Sequence, residues 1–286
     1  MPHDNPALVT TSWLGANLGR PDLRVVDASW YLVASGRDAA AEFAAGHIPG
    51  AVFFDLEASS DDATTLPHML PRAERFAERM RRLGLSDRDA VVVYDGSGVN
   101  LSAPRVWWTF REFGHPRVSV LDGGLMKWKA EGRPLETGSP APAPGRYTAR
   151  LNASLVRNFA EMLANAASGR EQVVDTRPAA RFEGSEPEVR PGVRTGHMPG
   201  SFNLPFGDLV APDGTVLPPE QLRARVEAAG IDLTRPVVAS CGSGTSACSL
   251  VLALHLLGHG QVAVYDGSWT EWGGRTDTPA EIGTAR

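Results

Sequence analysis

Short apolar segments alternate with longer amphipathic segments along the whole chain. Valine-rich runs such as Val91–Val93 and Val237–Ala239 have the length and composition of buried strands. Residues 72–83 carry apolar side chains at helical spacing, and a second helix is predicted from Pro219 to Gly230. Strands that alternate with helices predict an α/β fold, in which helices cover both faces of a mostly parallel sheet.

The pattern of these segments is duplicated, because three segments of the first half recur in the second. The segments 25–28, 46–51 and 118–124 correspond to 173–176, 196–201 and 262–268. His47 and His197 occupy equivalent places in the second of these pairs, which indicates a role in ordering a turn. A repeat of this length spans whole domains, not the short units of a solenoid.

The length of the chain agrees with two domains, since 286 residues are many for one compact core. Between the two copies lies a segment rich in prolines, which favours an extended connector: Pro134, Pro140, Pro142 and Pro144. We therefore predict a first domain over residues 1–133, a linker over 134–150 and a second domain over 151–286.

Composition and charge exclude several classes of protein. Hydrophobic residues make up 42% and charged residues 21%, and no apolar run is long enough to cross a bilayer. The first ten residues lack the features of a secretory signal, so we expect a cytoplasmic protein. The net charge of −5 is spread along the chain, which predicts neither a nucleic-acid nor a membrane partner.

The chain contains two cysteines, Cys241 and Cys248, and their spacing argues against a disulfide. Two helical turns separate α-carbons by about 10 Å, which is beyond the reach of a disulfide, so a reducing compartment is implied. No cysteine pair or histidine cluster has the spacing of metal ligands. We predict no metal and no cofactor, and we interpret Cys248 as a small buried apolar residue.

Cys241 stands where a reactive thiolate is expected. It lies between the strand Val237–Ala239 and a helical run over Ser246–Leu257. Gly242 and Gly244 allow the loop's N–H groups to converge on one point, and the N-terminus of the helix favours negative charge there. Three residues of this loop are therefore predicted to contact the substrate of the thiolate: Gly242, Gly244 and Thr245.

The duplication provides an internal control for this loop. Residues 91–98 align with 237–244, and Asp95 stands where Cys241 stands. A carboxylate cannot act as a sulfur nucleophile, so the first half is predicted to be a non-catalytic partner of the second.

Three kinds of motif together resemble those of a known protein family: the two Gly-His-X-Pro-Gly segments, the Asp-Gly-Gly and Asp-Gly-Ser strand ends, and the Cys-Gly-Ser-Gly loop. The chain resembles the tandem-domain sulfurtransferases of the rhodanese superfamily, and within it the 3-mercaptopyruvate sulfurtransferases. The resemblance implies two tandem rhodanese-like domains. It also implies that Cys241 takes sulfur from 3-mercaptopyruvate as a persulfide, releases pyruvate, and passes the sulfur to an acceptor such as thioredoxin, a low-molecular-weight thiol or cyanide.

The same resemblance assigns roles to further residues. Arg181 and Arg190 match the arginines that bind the substrate carboxylate, a task that suits the forked guanidinium group. Ser243 and His68 match a serine–histidine–acid proton relay. The acid in relatives is typically an aspartate, whereas this chain supplies Glu57.

Three other functions compete with this interpretation. A thiosulfate:cyanide sulfurtransferase typically has basic residues in its loop, and residues 242–246 carry no charge. A cysteine phosphatase needs an arginine six positions after the cysteine, where this chain has Ala247. A non-enzymatic sulfur-relay module is disfavoured because Cys241, Arg181 and Arg190 are all present.

Overall fold

The computed structural model describes residues 6–284. The chain divides into two compact units. Among the described residues, the first unit comprises 6–61, 71–151 and 210–216, and the second comprises 62–70, 152–209 and 217–284. Each unit therefore contains most of one sequence repeat together with a short segment from the other half of the chain.

The first unit is built on a five-stranded parallel sheet with strand order β1-β5-β4-β2-β3. Its strands are β1 Leu8–Val9, β2 Leu23–Asp27, β3 Ala51–Phe53, β4 Ala90–Tyr94 and β5 Val118–Leu121. Its helices are α1 Thr11–Asn17, α2 Ala39–Ala45, α3 Ala73–Arg82, α4 Ala103–Glu112 and α5 Gly124–Ala130. Every residue of the central strand β4 is buried, which explains its uninterrupted apolar sequence.

The second unit repeats this topology with strand order β6-β10-β9-β7-β8, again all parallel. Its strands are β6 Val156–Arg157, β7 Gln172–Asp175, β8 Phe202–Asn203, β9 Val237–Ser240 and β10 Val262–Tyr265. Its helices are α6 Phe159–Ser168, α7 Ala179–Glu183, α8 Pro219–Ala228, α9 Ala247–Leu256 and α10 Ser268–Gly274. The predicted α/β class and the duplication are both confirmed.

The strand order explains where a site forms in each unit. From β9 the chain leads to β10 on one side, whereas β7 and β8 lie on the other side. Ligands of open α/β sheets bind at the carboxyl ends of the strands where the order reverses in this way. The loop that starts at Cys241 leaves β9 at this position.

The segment that follows the last helix of the first unit returns to the sheet. The Trp128 indole donates a hydrogen bond to the Pro134 carbonyl, and Glu136 pairs with His47 in an antiparallel bridge. The second unit repeats both contacts with Trp272, Pro279, Glu281 and His197. Residues 134–136 are therefore part of the repeat, and the linker limits of 134 and 150 stay a prediction.

The two duplicated histidines order turns, as predicted. His47 Nδ1 donates to the Phe43 carbonyl at 2.8 Å, and His197 Nδ1 donates to the Phe182 carbonyl at 2.8 Å. Each imidazole also stacks on the phenyl ring of the residue that accepts its hydrogen bond.

Glu112, the last residue of α4, makes folding stability depend on pH. Its side chain is 2% exposed, and burial raises the pKa of its carboxyl to about 7, although Arg111 and Arg105 act to lower it. Between pH 4.5 and 7 the unfolded chain ionises this group before the folded chain does, so stability falls as pH rises. We expect Glu112→Gln to remove about 3 kcal/mol of this pH-dependent loss in the free energy of unfolding.

Urea denaturation at pH 5, 6, 7 and 8 measures this effect. The substituted protein gains stability over the parent as pH rises from 5 to 8, and the difference between the two is smallest at pH 5. Glu78→Gln, at an exposed glutamate on α3 that pairs with Arg82, leaves the slope unchanged. Equal slopes for Glu112→Gln and the parent would contradict the assignment.

Candidate active site

Cys241 is buried at the carboxyl end of β9, with 2% of its surface exposed. The Ser243 N–H points at its sulfur, with 3.4 Å between nitrogen and Sγ. An amide aimed at a cysteine sulfur stabilises negative charge on it, and α9 begins at Ala247 just beyond the loop. Such surroundings suit a sulfur nucleophile, which is the role predicted for Cys241.

Thr270 holds the peptide that carries this N–H group. Both its backbone N–H and its hydroxyl donate to the Gly242 carbonyl, at 2.9 and 2.5 Å. Because a trans peptide is planar, its carbonyl and its N–H point in opposite directions. A carbonyl held by Thr270 therefore leaves the Ser243 N–H facing Cys241. Nothing in the sequence pattern singled out Thr270.

The equivalent loop of the first unit surrounds the side chain of Asp95. The buried Asp95 carboxylate accepts hydrogen bonds from the N–H groups of Ser97, Ser102 and Ala103 at 2.8 to 2.9 Å. The donor two residues after Asp95 corresponds to the Ser243 donor two residues after Cys241. Both copies therefore direct backbone N–H groups at the side chain that follows the strand, and only the second copy places sulfur there.

Ser268 helps to hold the backbone of Cys241. Its hydroxyl accepts a hydrogen bond from the Cys241 N–H at 3.2 Å and donates to the Tyr265 carbonyl at 2.8 Å. Ser268 has a φ of 50°, and Gly124, its counterpart in the first unit, has a φ of 55°. The difference between Asp-Gly-Ser and Asp-Gly-Gly in the repeat was the available signal for this residue.

His68 meets two hydroxyl groups of the cysteine loop. Its Nδ1 lies 2.8 Å from Ser243 Oγ and 3.0 Å from Thr245 Oγ1, and all three side chains are at most 5% exposed. His68 belongs to the segment 62–70 of the second unit, and it adopts a left-handed φ of 61°. The predicted Ser243–His68 pair is therefore within hydrogen-bonding distance, and the Thr245 hydroxyl contacts the same imidazole.

The segment that carries His68 is held by Asp266, which follows β10. The Asp266 carboxylate accepts a hydrogen bond from the Leu70 N–H at 2.7 Å. This contact joins the segment to the end of a strand next to β9. The Asp-Gly-Ser motif therefore fixes both the Cys241 backbone, through Ser268, and the segment of His68.

Glu57, the predicted acid of the relay, is an exposed residue of the first unit. Its carboxylate accepts a hydrogen bond from the Trp30 indole at 2.9 Å. This indole contact was not foreseen from the sequence. The role of Glu57 as the acid of the proton relay stays a prediction.

The two predicted substrate arginines are half-buried residues of the second unit. Arg190 lies beside the cysteine loop, with Nη1 3.9 Å from the point where a side chain on Gly242 would begin. Gly242 therefore leaves open the space between the loop and this guanidinium. Arg181 lies on α7, and within residues 6–284 neither a hydrogen bond nor an ion pair joins it to the cysteine loop.

Within residues 6–284, no group of three or more histidine, cysteine, aspartate or glutamate side chains is arranged to hold a metal ion. Over the same residues, no helix combines the length and the apolar character needed to cross a bilayer.

Comparison with known proteins assigns the chain to a family. The model of the rhodanese-like domain matches it twice, over residues 10–131 and 158–275. The chain therefore belongs to the family of proteins with rhodanese-like domains, and it carries two of them in tandem. This confirms the family and fold implied by the sequence motifs.

The most informative relatives are sulfurtransferases. The chain is 46% identical to human 3-mercaptopyruvate sulfurtransferase over 271 residues, which cover 93% of this chain and 91% of that protein. It is 42% identical to the Arabidopsis thaliana thiosulfate/3-mercaptopyruvate sulfurtransferase 1, mitochondrial, covering 96% and 78%. The crystal structure of the 3-mercaptopyruvate sulfotransferase SseA from Escherichia coli superimposes with a TM-score of 0.85 at 39% identity, covering 93% and 99%.

Proposed function

We propose that this protein is a 3-mercaptopyruvate sulfurtransferase with Cys241 as its nucleophile. The observation that carries the proposal is the Ser243 N–H aimed at the Cys241 sulfur in a loop before a helix. Relatives of human and bacterial origin that are named for this activity match over 93% of the chain.

The proposed reaction has two steps. The Cys241 thiolate attacks the sulfur of mercaptopyruvate, the carbon–sulfur bond breaks, and the departing enolate takes a proton to become pyruvate. The Cys241 persulfide then loses its outer sulfur to an acceptor thiolate, which regenerates the Cys241 thiolate. The loop N–H groups stabilise the thiolate before the first step and the persulfide anion after it.

We infer that Arg190 and Arg181 bind the substrate carboxylate. The place of Arg190 beside Gly242 supports this role, because a carboxylate held there lies close to the cysteine loop. Gly242, Gly244 and Thr245 would line the donor site. Residues 242–246 carry no charged side chain, so in this proposal Arg190 and Arg181 supply the positive charge that attracts an organic acid.

We infer that Ser243, His68 and Glu57 deliver the proton that the enolate requires. The contact of 2.8 Å between His68 Nδ1 and Ser243 Oγ supports the first link of this relay. Glu57 is assigned as the acid on the strength of the sequence resemblance alone.

We propose thioredoxin or a low-molecular-weight thiol as the acceptor, and the cytoplasm as the compartment. The Arabidopsis relative is mitochondrial by name, so a mitochondrial location is the alternative. The first rhodanese-like domain is assigned a non-catalytic role, since Asp95 takes the place of the cysteine.

Thiosulfate is the second candidate donor, because the Arabidopsis relative is named for both donors. We expect kcat/KM for mercaptopyruvate to exceed that for thiosulfate by at least about 10-fold, since a carboxylate can pair with Arg190. Steady-state kinetics with cyanide as a common acceptor measures the ratio. A ratio below one would replace the proposal with a thiosulfate sulfurtransferase.

A further inference from the structure

Arg177 contacts several elements of the second unit. Its side chain is buried, with 1% of its surface exposed. Its guanidinium donates to both carboxylate oxygens of Asp175, at the end of β7, and to the Gly196 carbonyl. The guanidinium also lies over the indole ring of Trp269. The backbone N–H of Trp269 in turn donates to the Cys241 carbonyl at 2.9 Å. A buried arginine with these partners is held in one position.

The remaining ion-pair partner of Arg177 is Glu188. Arg177 Nη1 donates to Glu188 Oε1 at 2.6 Å, and the Glu188 side chain is 4% exposed. Glu188 belongs to the segment 184–193, which contains no helix or strand and which carries Arg190 two residues later. A segment without regular structure can adopt several conformations unless a buried contact fixes one of them. The Arg177–Glu188 pair is such a contact for this segment.

The first unit provides a comparison. Where the second unit has Asp175-Thr176-Arg177, the first has Asp27-Ala28-Ser29, so the strand-end aspartate recurs without an arginine. Burial then raises the pKa of Asp27 to about 6. Arg177 is thus a feature of the half that contains the cysteine.

We propose that Glu188 is a positioning residue for the carboxylate donor: its buried pair with Arg177 sets the place of Arg190 beside the cysteine loop. Glu188 touches no reacting atom in this scheme. This inference rests on the proposed role of Arg190, and it names the contact on which recognition of an organic acid depends.

The test uses two alkylating agents and no sulfur transfer. Iodoacetate and iodoacetamide both alkylate the Cys241 thiolate with loss of iodide, but only iodoacetate carries a carboxylate. The ratio of their rates at Cys241, read by mass spectrometry, reports how well the site attracts a carboxylate. We expect Glu188→Ala and Arg190→Ala each to lower this ratio about 10-fold, and the double variant to match Arg190→Ala alone.

The sign of the change separates positioning from simple electrostatics. Removing a negative charge near the site would by itself raise the ratio, whereas losing the position of Arg190 lowers it. Glu186→Ala is the matched control, because Glu186 is an exposed glutamate of the same segment. We expect it to leave the ratio unchanged or slightly raised. Glu188→Gln keeps an acceptor oxygen for Arg177 and gives an intermediate ratio.

Each remaining outcome decides a separate question. An unchanged or raised ratio in Glu188→Ala, or additive losses in the double variant, overturns the role of Glu188. Thermal melting identifies a variant that has unfolded, and Glu188→Gln then decides in its place. If the ratios change as expected but mercaptopyruvate is not a donor, the positioning role of Glu188 is supported and the proposed substrate is wrong.

Discussion

Replacing Cys241 with serine lowers the rate of sulfur transfer from mercaptopyruvate by at least about 1000-fold. A serine hydroxyl stays protonated near neutral pH and cannot store sulfur as a persulfide, so the first step of the proposed reaction has no nucleophile. Mass spectrometry of the parent protein after mixing with mercaptopyruvate shows one added sulfur on Cys241. The Cys241→Ser protein shows none.

Cys248→Ser is the matched control for this experiment. Cys248 is buried on α9, and its thiol donates to the Gly244 carbonyl at 3.4 Å, a contact that a serine hydroxyl can replace. We expect this variant to keep its rate within a few-fold and to gain sulfur on Cys241. Persulfide on Cys248, or a Cys241→Ser protein with normal activity, would contradict the assignment of the nucleophile.

Replacing Ser243 with alanine lowers kcat for mercaptopyruvate by about 100-fold. The enolate that leaves mercaptopyruvate needs a proton, and in this variant the His68 imidazole has lost the hydroxyl 2.8 Å from its Nδ1. Sulfite, which leaves thiosulfate, needs no proton for its departure. The loss is therefore expected with mercaptopyruvate and not with thiosulfate, and steady-state kinetics with both donors measures the difference.

Ser246→Ala controls for the loss of a loop hydroxyl. The Ser246 hydroxyl lies 3.1 Å from the Thr176 hydroxyl, so its removal leaves the Ser243–His68 contact in place. We expect rates within a few-fold of the parent with both donors. Equal losses for the two donors in Ser243→Ala would point to a disturbed loop and would argue against a proton relay.

Local sequence patterns predicted the α/β class together with several of its strands and helices. The run 72–83 contains α3, Ala73–Arg82, because its apolar residues recur at the helical period and three of them are buried. The helix predicted from Pro219 begins there, since proline suits the first turn of a helix. The valine-rich runs are central strands, where both faces are buried and no polar alternation is expected.

The site was predictable in part, because its residues come from two kinds of signal. Cys241 and its loop lie in one contiguous segment whose strand, glycines and helix can be read together. The Ser243–His68 contact came from resemblance to a family, since these residues lie far apart in the chain. Thr270 and Glu188 were missed, because each acts through a contact with a residue in another segment that no local pattern encodes.

By itself, the sequence determined the α/β class, the duplication and the single thiol at the end of a central strand. Periodicity, glycine conformation and helix ends are properties of neighbouring residues, so they can be read without coordinates. Only the tertiary structure decided that Thr270 directs the Ser243 N–H at the sulfur, that Thr245 shares the His68 imidazole with Ser243, and that Glu188 reaches Arg177. These contacts depend on hydrogen-bond distances of about 3 Å between distant segments, and only packing sets such distances.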